Sequence, residues 1–282
     1  MLMIGGLIMV FVSIVGGFML EHGDPMILIQ PAEIVIIAGA GISAFIASNS
    51  AYTMKLVLRN IKSIFFGAGP GKKEYLELLG LLYELFSKMY RDGIISIEKD
   101  IEHPDQSGIF QKYGSVSKNK KICFFIGDTL RVLLTSGGAA AELDKLMAVD
   151  IQVTHDVENM TPHNVSRMAE SMPGMGIVAA VLGVVLTMGK INAPPEELGH
   201  AIGAALVGTF LGILLCYGVF GPMAAKLENL AHEQIFLYRV IREAVAASAR
   251  GSPPIMALEF GRRAIPSDFR PTFLEMEEKL RG

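Results

Sequence analysis

Four stretches of the chain run free of charged side chains for long enough to cross a bilayer: residues 1–20, 34–47, 173–189 and 201–225. Coiled as helices they reach across about 30 Å of hydrocarbon, the second once it is continued through the polar but uncharged residues from Ser48 to Tyr52. The expected spans are therefore 1–20, 34–52, 172–189 and 201–225, with short loops at 21–33 and 190–200. Residues 53–171, between the second and third spans, are too many for a structureless connection. There Leu76, Leu79, Tyr83, Phe86 and Tyr90 recur at helical spacing and predict one apolar stripe, with Glu84 and Lys88 as an i,i+4 pair on the wet side. Gly93 breaks that helix, and Ile94, Ile97 and Ile101 begin a second stripe that Pro104 ends, which makes a helical hairpin. Further helices are expected at 120–135 and 139–160, separated by Ser136-Gly137-Gly138, the later one running on into the third span. The fourth span continues helical in period until Arg250-Gly251-Ser252-Pro253-Pro254 stops it. The predicted fold is an all-α integral membrane protein. It has four transmembrane helices, a helical cytoplasmic domain between the second and third, and a helical cytoplasmic tail over 226–282.

Composition and charge support this reading and orient it. Apolar residues make up 51% of the 282, and the mean hydropathy is +0.43, which places the chain in the membrane class. Residues 51–171 hold 15 of the 25 lysines and arginines and residues 223–282 hold 9, so Lys190 alone is left for the outer loops. The positive-inside rule then puts both termini in the cytoplasm. No basic region precedes the first apolar run, so that span is expected to be retained rather than cleaved. Cys123 and Cys216 are expected to be reduced packing residues. A formal charge of -3 gives no reason to expect a nucleic-acid partner.

The candidate chemistry is sparse. GAGPGKK at 67–73 imitates a phosphate-binding loop, but Phe66 stands where the first glycine is required and Lys73 where a hydroxyl should meet magnesium. It reads instead as a basic loop near anionic lipid headgroups. His22, His103, His155, His163, His200 and His232 form no i,i+4 pair, so no metal site is expected. In the third span Gly176, Ala179, Ala180 and Gly183 share a face; in the fourth Ala205, Gly208, Thr209, Gly212 and Cys216 do. Such faces let membrane helices approach closely. They serve either packing within the chain or a surface for another helix, with the Thr209 hydroxyl the polar group that meets it. Pro173 and Pro222 bracket this pair of spans, as helix start and stop or as hinges in continuous helices. Glu98, Asp100, Glu102 and Asp105 form an acidic cluster, either a solvated face or a docking site, with Arg91 at the preceding turn.

The interiors of the spans hold no residue suited to carrying a proton: Glu33 lies at the outer end of the second, and Tyr217 is a phenol with an ordinary pKa near 10. Transport therefore needs a carboxylate from another chain.

QPAEIVIIAGAGISAFI, GIVAAVLGVV, LVGTFLGILLCYG and PPIMALEFGRR resemble, in order and over nearly the whole chain, the MotA family of flagellar motor stator proteins. The resemblance implies a stator unit in the bacterial inner membrane. In it a homo-oligomeric ring, expected to be a pentamer, surrounds MotB, a single-span partner whose membrane aspartate takes the ion. Ion flow then drives the ring against the rotor protein FliG. The resemblance assigns Pro173 and Pro222 to conformational coupling and Thr209 to the ion path, beside Ala180 and Tyr217. Sodium-driven relatives have a threonine where Ala180 stands, so the transported ion is expected to be H+, with no cofactor. Glu98 matches the rotor-facing glutamate; the rotor-facing arginine falls on Tyr90 by gapless alignment, with Arg91 one position later and ~100° further round the helix. Gly176, Ala179, Gly183, Ala205, Gly208 and Gly212 are expected to pack against the partner. The rivals are an ExbB/TolQ-like subunit, which has three spans in a different order, and a sodium-driven stator. A secondary transporter would need symmetry between halves, and a passive scaffold would leave Thr209 and the prolines unexplained.

Overall fold

A computed structural model describes residues 2–135 and 140–281. The expected Ser136-Gly137-Gly138 break lies outside the described residues. In chain order the α-helices are α1 (Leu2–Leu20), α2 (Pro31–Ser48), α3 (Ala51–Phe66), α4 (Lys72–Asp92), α5 (Glu98–Glu102), α6 (Gly108–Lys112) and α7 (Gly114–Lys118). There follow α8 (Lys120–Thr135), α9 (Ala140–Met188), α10 (Pro195–Ile213), α11 (Gly221–Ala249), α12 (Pro254–Arg263) and α13 (Phe273–Arg281), with a π-helical stretch, Leu214–Phe220, joining α10 to α11. Among the described residues four helical segments are long and apolar enough to cross a membrane: Leu2–Leu20, Pro25–Ser48, Ala140–Met188 and Pro195–Ala249.

The chain divides into two compact units. The first takes the residues up to Ala68 and Val157–Leu230 and holds the apolar spans. Helix α1 has no buried residue and no charged one, the composition of a helix whose surroundings are apolar. Helix α2 starts on Pro31, whose missing N–H costs nothing in the first turn. It ends at Ser48 and does not continue to Tyr52 as expected: Asn49 is extended, at φ -120 and ψ 149, and the Ser50 hydroxyl accepts from the Thr53 amide at 3.2 Å to cap α3. That amphipathic helix buries Leu56, Val57 and Ile64. It belongs with the spans, as do Val157 onwards in α9, so the loop domain is shorter than the 53–171 read from sequence.

The second unit comprises Gly69–Asp156 and Ala231–Gly282. It is built around α4, which buries Tyr75, Leu78, Leu79, Leu81, Leu82, Leu85 and Phe86. The buried surface is broader than one stripe, and its expected members Leu76 and Tyr83 are half-buried while Tyr90 is exposed. Gly80 makes room for Tyr113: a Cβ there would lie 2.6 Å from the ring and displace it. The Tyr113 hydroxyl donates to Glu84 at 2.9 Å; burial and this bond to a carboxylate push the phenol's pKa well above its ordinary value. The expected Glu84–Lys88 pair is replaced by longer-range ones. Lys88 meets Asp100 at 2.8 Å and Lys112 meets Glu84 at 3.1 Å, because the chain folding back on α4 brings Asp100 to Lys88 and Lys112 to Glu84. Gly93, at φ 83, ends α4 as expected. The C-terminal segment is no separate tail. Helices α12 and α13 pack on α4, and Lys72, which with Lys73 opens α4 rather than ending a basic loop over 67–73, pairs with Glu275 at 2.6 Å.

Candidate functional site

Within the first unit, α9 and α10 approach so closely that side chains are excluded from the contact. A Cβ on Gly176 would stand 2.7 Å from the Gly208 carbonyl oxygen and 3.0 Å from the Gly212 Cα; one on Gly212 would stand 2.6 Å from the Met172 oxygen. Ala179 is fully buried, and a Cβ on Gly183 would meet the Ala205 methyl at 2.7 Å. So Gly176, Ala179, Gly183, Ala205, Gly208 and Gly212 are engaged in packing inside this chain, the first of the two readings open from sequence. They are not a free face awaiting a partner. Glycine contacts of this kind gain dispersion where lipid offers no hydrophobic drive.

Of the three residues assigned to an ion path, Ala180 and Thr209 lie along this seam. Ala180 is buried, with its backbone nitrogen 3.1 Å from where a Gly208 Cβ would be, and Thr209 is half-buried one position further on. Tyr217 is not drawn into the seam; it is 74% exposed. Sequence reasoning passed over a neighbour. The Glu33 side chain is buried, its Oε2 has no hydrogen-bond partner, and a Cβ on Gly208 would lie 2.6 Å from that oxygen. The spans are therefore not free of ionisable groups: α2 directs one carboxyl between α9 and α10. In the sequence Glu33 marks only the outer end of the second span; its inward direction depends on the helices packed around it.

Both prolines lie inside continuous helical segments, which overturns the helix-start and helix-stop reading. Pro173 is within α9, as is Pro162. Pro222 is the second residue of α11, directly after the π-helical turn in which the Gly221 amide donates to the Cys216 carbonyl. A π-turn beside a proline loosens the regular hydrogen-bond ladder locally, giving the helix a place to bend. No sequence pattern signalled it.

In the second unit, Tyr90 and Arg91 are exposed at the end of α4 and line an open cleft of about 500 Å³ with Tyr83, Glu84, Ser87 and Pro254. Arg91 Nε donates to the Ser87 carbonyl at 3.3 Å. Glu98 is exposed at the start of α5 and lies outside the cleft lining. Of the acidic cluster, Asp100 is taken up structurally, holding Lys88 and accepting from the Ser107 hydroxyl at 2.7 Å.

Residues 4–93 match the family model described as the motility protein A N-terminal region, and residues 119–239 match that of the MotA/TolQ/ExbB proton channel family. The chain is 38% identical to motility protein A of Escherichia coli strain K12, covering 100% of this chain and 96% of the relative. It is 31% identical to chemotaxis protein LafT of Vibrio parahaemolyticus, covering 98% and 96%. Among solved structures, the flagellar MotAB stator complex from Bacillus subtilis is similar at a TM-score of 0.72 and 25% identity, covering 91% of this chain and 92% of that one. The MotAB structure from C. jejuni shares the fold at a TM-score of 0.78 and 22% identity, covering 96% and 98%.

Proposed function

The chain belongs to the motility protein A group of the MotA/TolQ/ExbB proton channel family, and from that premise we propose how its residues serve a rotary motor. It is a stator subunit of the bacterial flagellar motor rather than an enzyme: with MotB it forms a proton-conducting channel and converts ion flow into torque on the rotor. The observation that carries this is the 38% identity to a motility protein A along the entire chain, which also sets aside the three-span ExbB/TolQ reading.

The finer assignments are these. Five copies ring a MotB dimer in the bacterial inner membrane, with both termini and the second unit cytoplasmic; the distribution of lysine and arginine supports that orientation. A membrane aspartate of the partner takes the proton beside Thr209 and Ala180, and Ala180, lacking an oxygen, favours protons over sodium. With Gly176, Gly208 and Gly212 used inside the chain, the partner helix meets the margin of the α9–α10 seam rather than its glycines. Pro173 and Pro222 let these helices flex as the aspartate gains and loses charge. Glu98 and Arg91, with Tyr90 beside them, face FliG. Energetically one elementary charge crossing 100 mV supplies about 2.3 kcal/mol, enough to bias a helix between two packings and too little to unfold a domain.

A Thr209→Val variant co-expressed with the intact partner tests the path: proton conductance and swimming speed are expected to fall several-fold with assembly intact. Unchanged conductance and speed would remove Thr209 from the path.

A further inference from the structure

Several helices of this chain, α2, α4 and α13 among them, carry glutamate at their third position. At the starts of α4 and α13 that glutamate turns back and satisfies the free amides: Gly71 N donates to Glu74 at 3.0 Å and Thr272 N to Glu275 at 2.7 Å. Glu33, at the same position of α2, does otherwise. Its side chain is 8% exposed, and Oε2 has no hydrogen-bond partner. The carboxyl is instead lodged between two other membrane helices, where a Cβ on Gly208 of α10 would come within 2.6 Å of Oε2 and one on Gly183 of α9 within 3.6 Å of Oε1. Glycine at 208 thus makes the space that the carboxyl fills.

A carboxylate buried without a partner is far more costly than the same group holding a proton, and inside membranes such residues mark ion pathways. Packing alone gives no reason for glutamate here, since an apolar side chain would fill the cleft at lower cost.

We propose that Glu33 is a proton-exchanging residue contributed by this chain to the conduction path, receiving protons beside Gly208 and passing them toward the Thr209 end of the seam. The proposal rests on the proton-channel reading and adds to it a carboxyl of the housing itself. Thr209 follows Gly208 in α10 and lies about 100° further round that helix, so Glu33 and the assigned path meet the same turn of α10.

The test uses the complex with its partner, reconstituted in liposomes, as wild type, Glu33→Gln and Glu33→Asp, with co-purification of the partner recording assembly. Glu33→Gln keeps the shape and removes the exchangeable proton, so proton flux per complex is expected to fall about tenfold or more; Glu33→Asp is expected to recover a substantial part. Independently of flux, the infrared difference between wild type and Glu33→Gln at neutral pH is expected to contain the carbonyl band of a protonated carboxyl. Flux in Glu33→Gln equal to wild type would overturn the proposal. Equal loss in both variants, which marks a packing role, would overturn it too, as would an infrared difference containing carboxylate bands alone. A wild-type complex that passes no protons would instead refute the channel reading, with the infrared band still deciding the state of Glu33.

Discussion

Gly176 and Gly212, between α9 and α10, stand where a methyl group would strike backbone, and this makes the seam sensitive to the smallest substitutions. Gly212→Ala would place a methyl 2.6 Å from the Met172 carbonyl and 2.9 Å from the Gly176 Cα. Backbone cannot swing aside as a side chain can, so overpacking of about 1–3 kcal/mol is expected. Gly174→Ala, two residues from Gly176 with nothing within 4 Å of its Cβ, is the matched control. Thermal unfolding of the detergent-solubilised protein is expected to drop clearly for the first and stay level for the second. Equal behaviour would mean the two helices do not meet as described. That these positions are small was legible in sequence; which neighbour they touch was not, because small-residue spacing is the same for a helix of this chain and for one of another. Glu33 was read as the outer boundary of its helix for a similar reason: the direction of a side chain in a helix's first turn is decided by the helices packed around it.

At the scale of elements, local periodicity carried the reading furthest. The helix at 120–135 and the unbroken run of α9 into the third span follow from 3.6-residue spacing and the placement of helix breakers, and Gly93 acts through its own backbone angle. Interactions set by the fold were out of reach. Lys88 finds Asp100 rather than the helical neighbour Glu84, and α12 and α13 complete the unit begun by α4 from more than 150 residues away. Helix α12 carries its own fastening. Glu259 accepts two bonds from Arg262 at 2.7 Å and one from Arg263 at 2.8 Å, and these arginines, Arg262 foremost, hold its carboxyl below the usual glutamate range against the opposing effect of burial. A carboxylate with a lowered folded pKa stabilises the fold fully above its unfolded pKa of about 4.3, and that contribution fades as pH falls through the folded value. The stability difference between wild type and Glu259→Gln is therefore expected to be constant from pH 8 to about pH 5 and to shrink below about pH 4. A difference that stays constant down to pH 3 would show that the arginines do not hold the ionised form.

For the molecule as a whole, hydropathy settled the membrane class and the four spans because crossing about 30 Å of hydrocarbon requires long apolar helices whatever the partners are. Function follows from what those spans contain. Among the described residues Glu33 is the one buried carboxyl, and with the half-buried hydroxyl of Thr209 it cannot carry a proton through a bilayer unaided; on the function proposed above the chain is a housing whose transported charge sits on a second polypeptide. The prolines and the π-turn supply the compliance that such a housing needs if each proton is to move it. The decisive measurement is proton flux into liposomes containing this chain alone, this chain with its MotB-like partner, and this chain with a partner whose membrane aspartate is changed to asparagine. Flux is predicted only for the intact pair. Proton passage by the chain alone at the rate of the assembled complex would contradict the account.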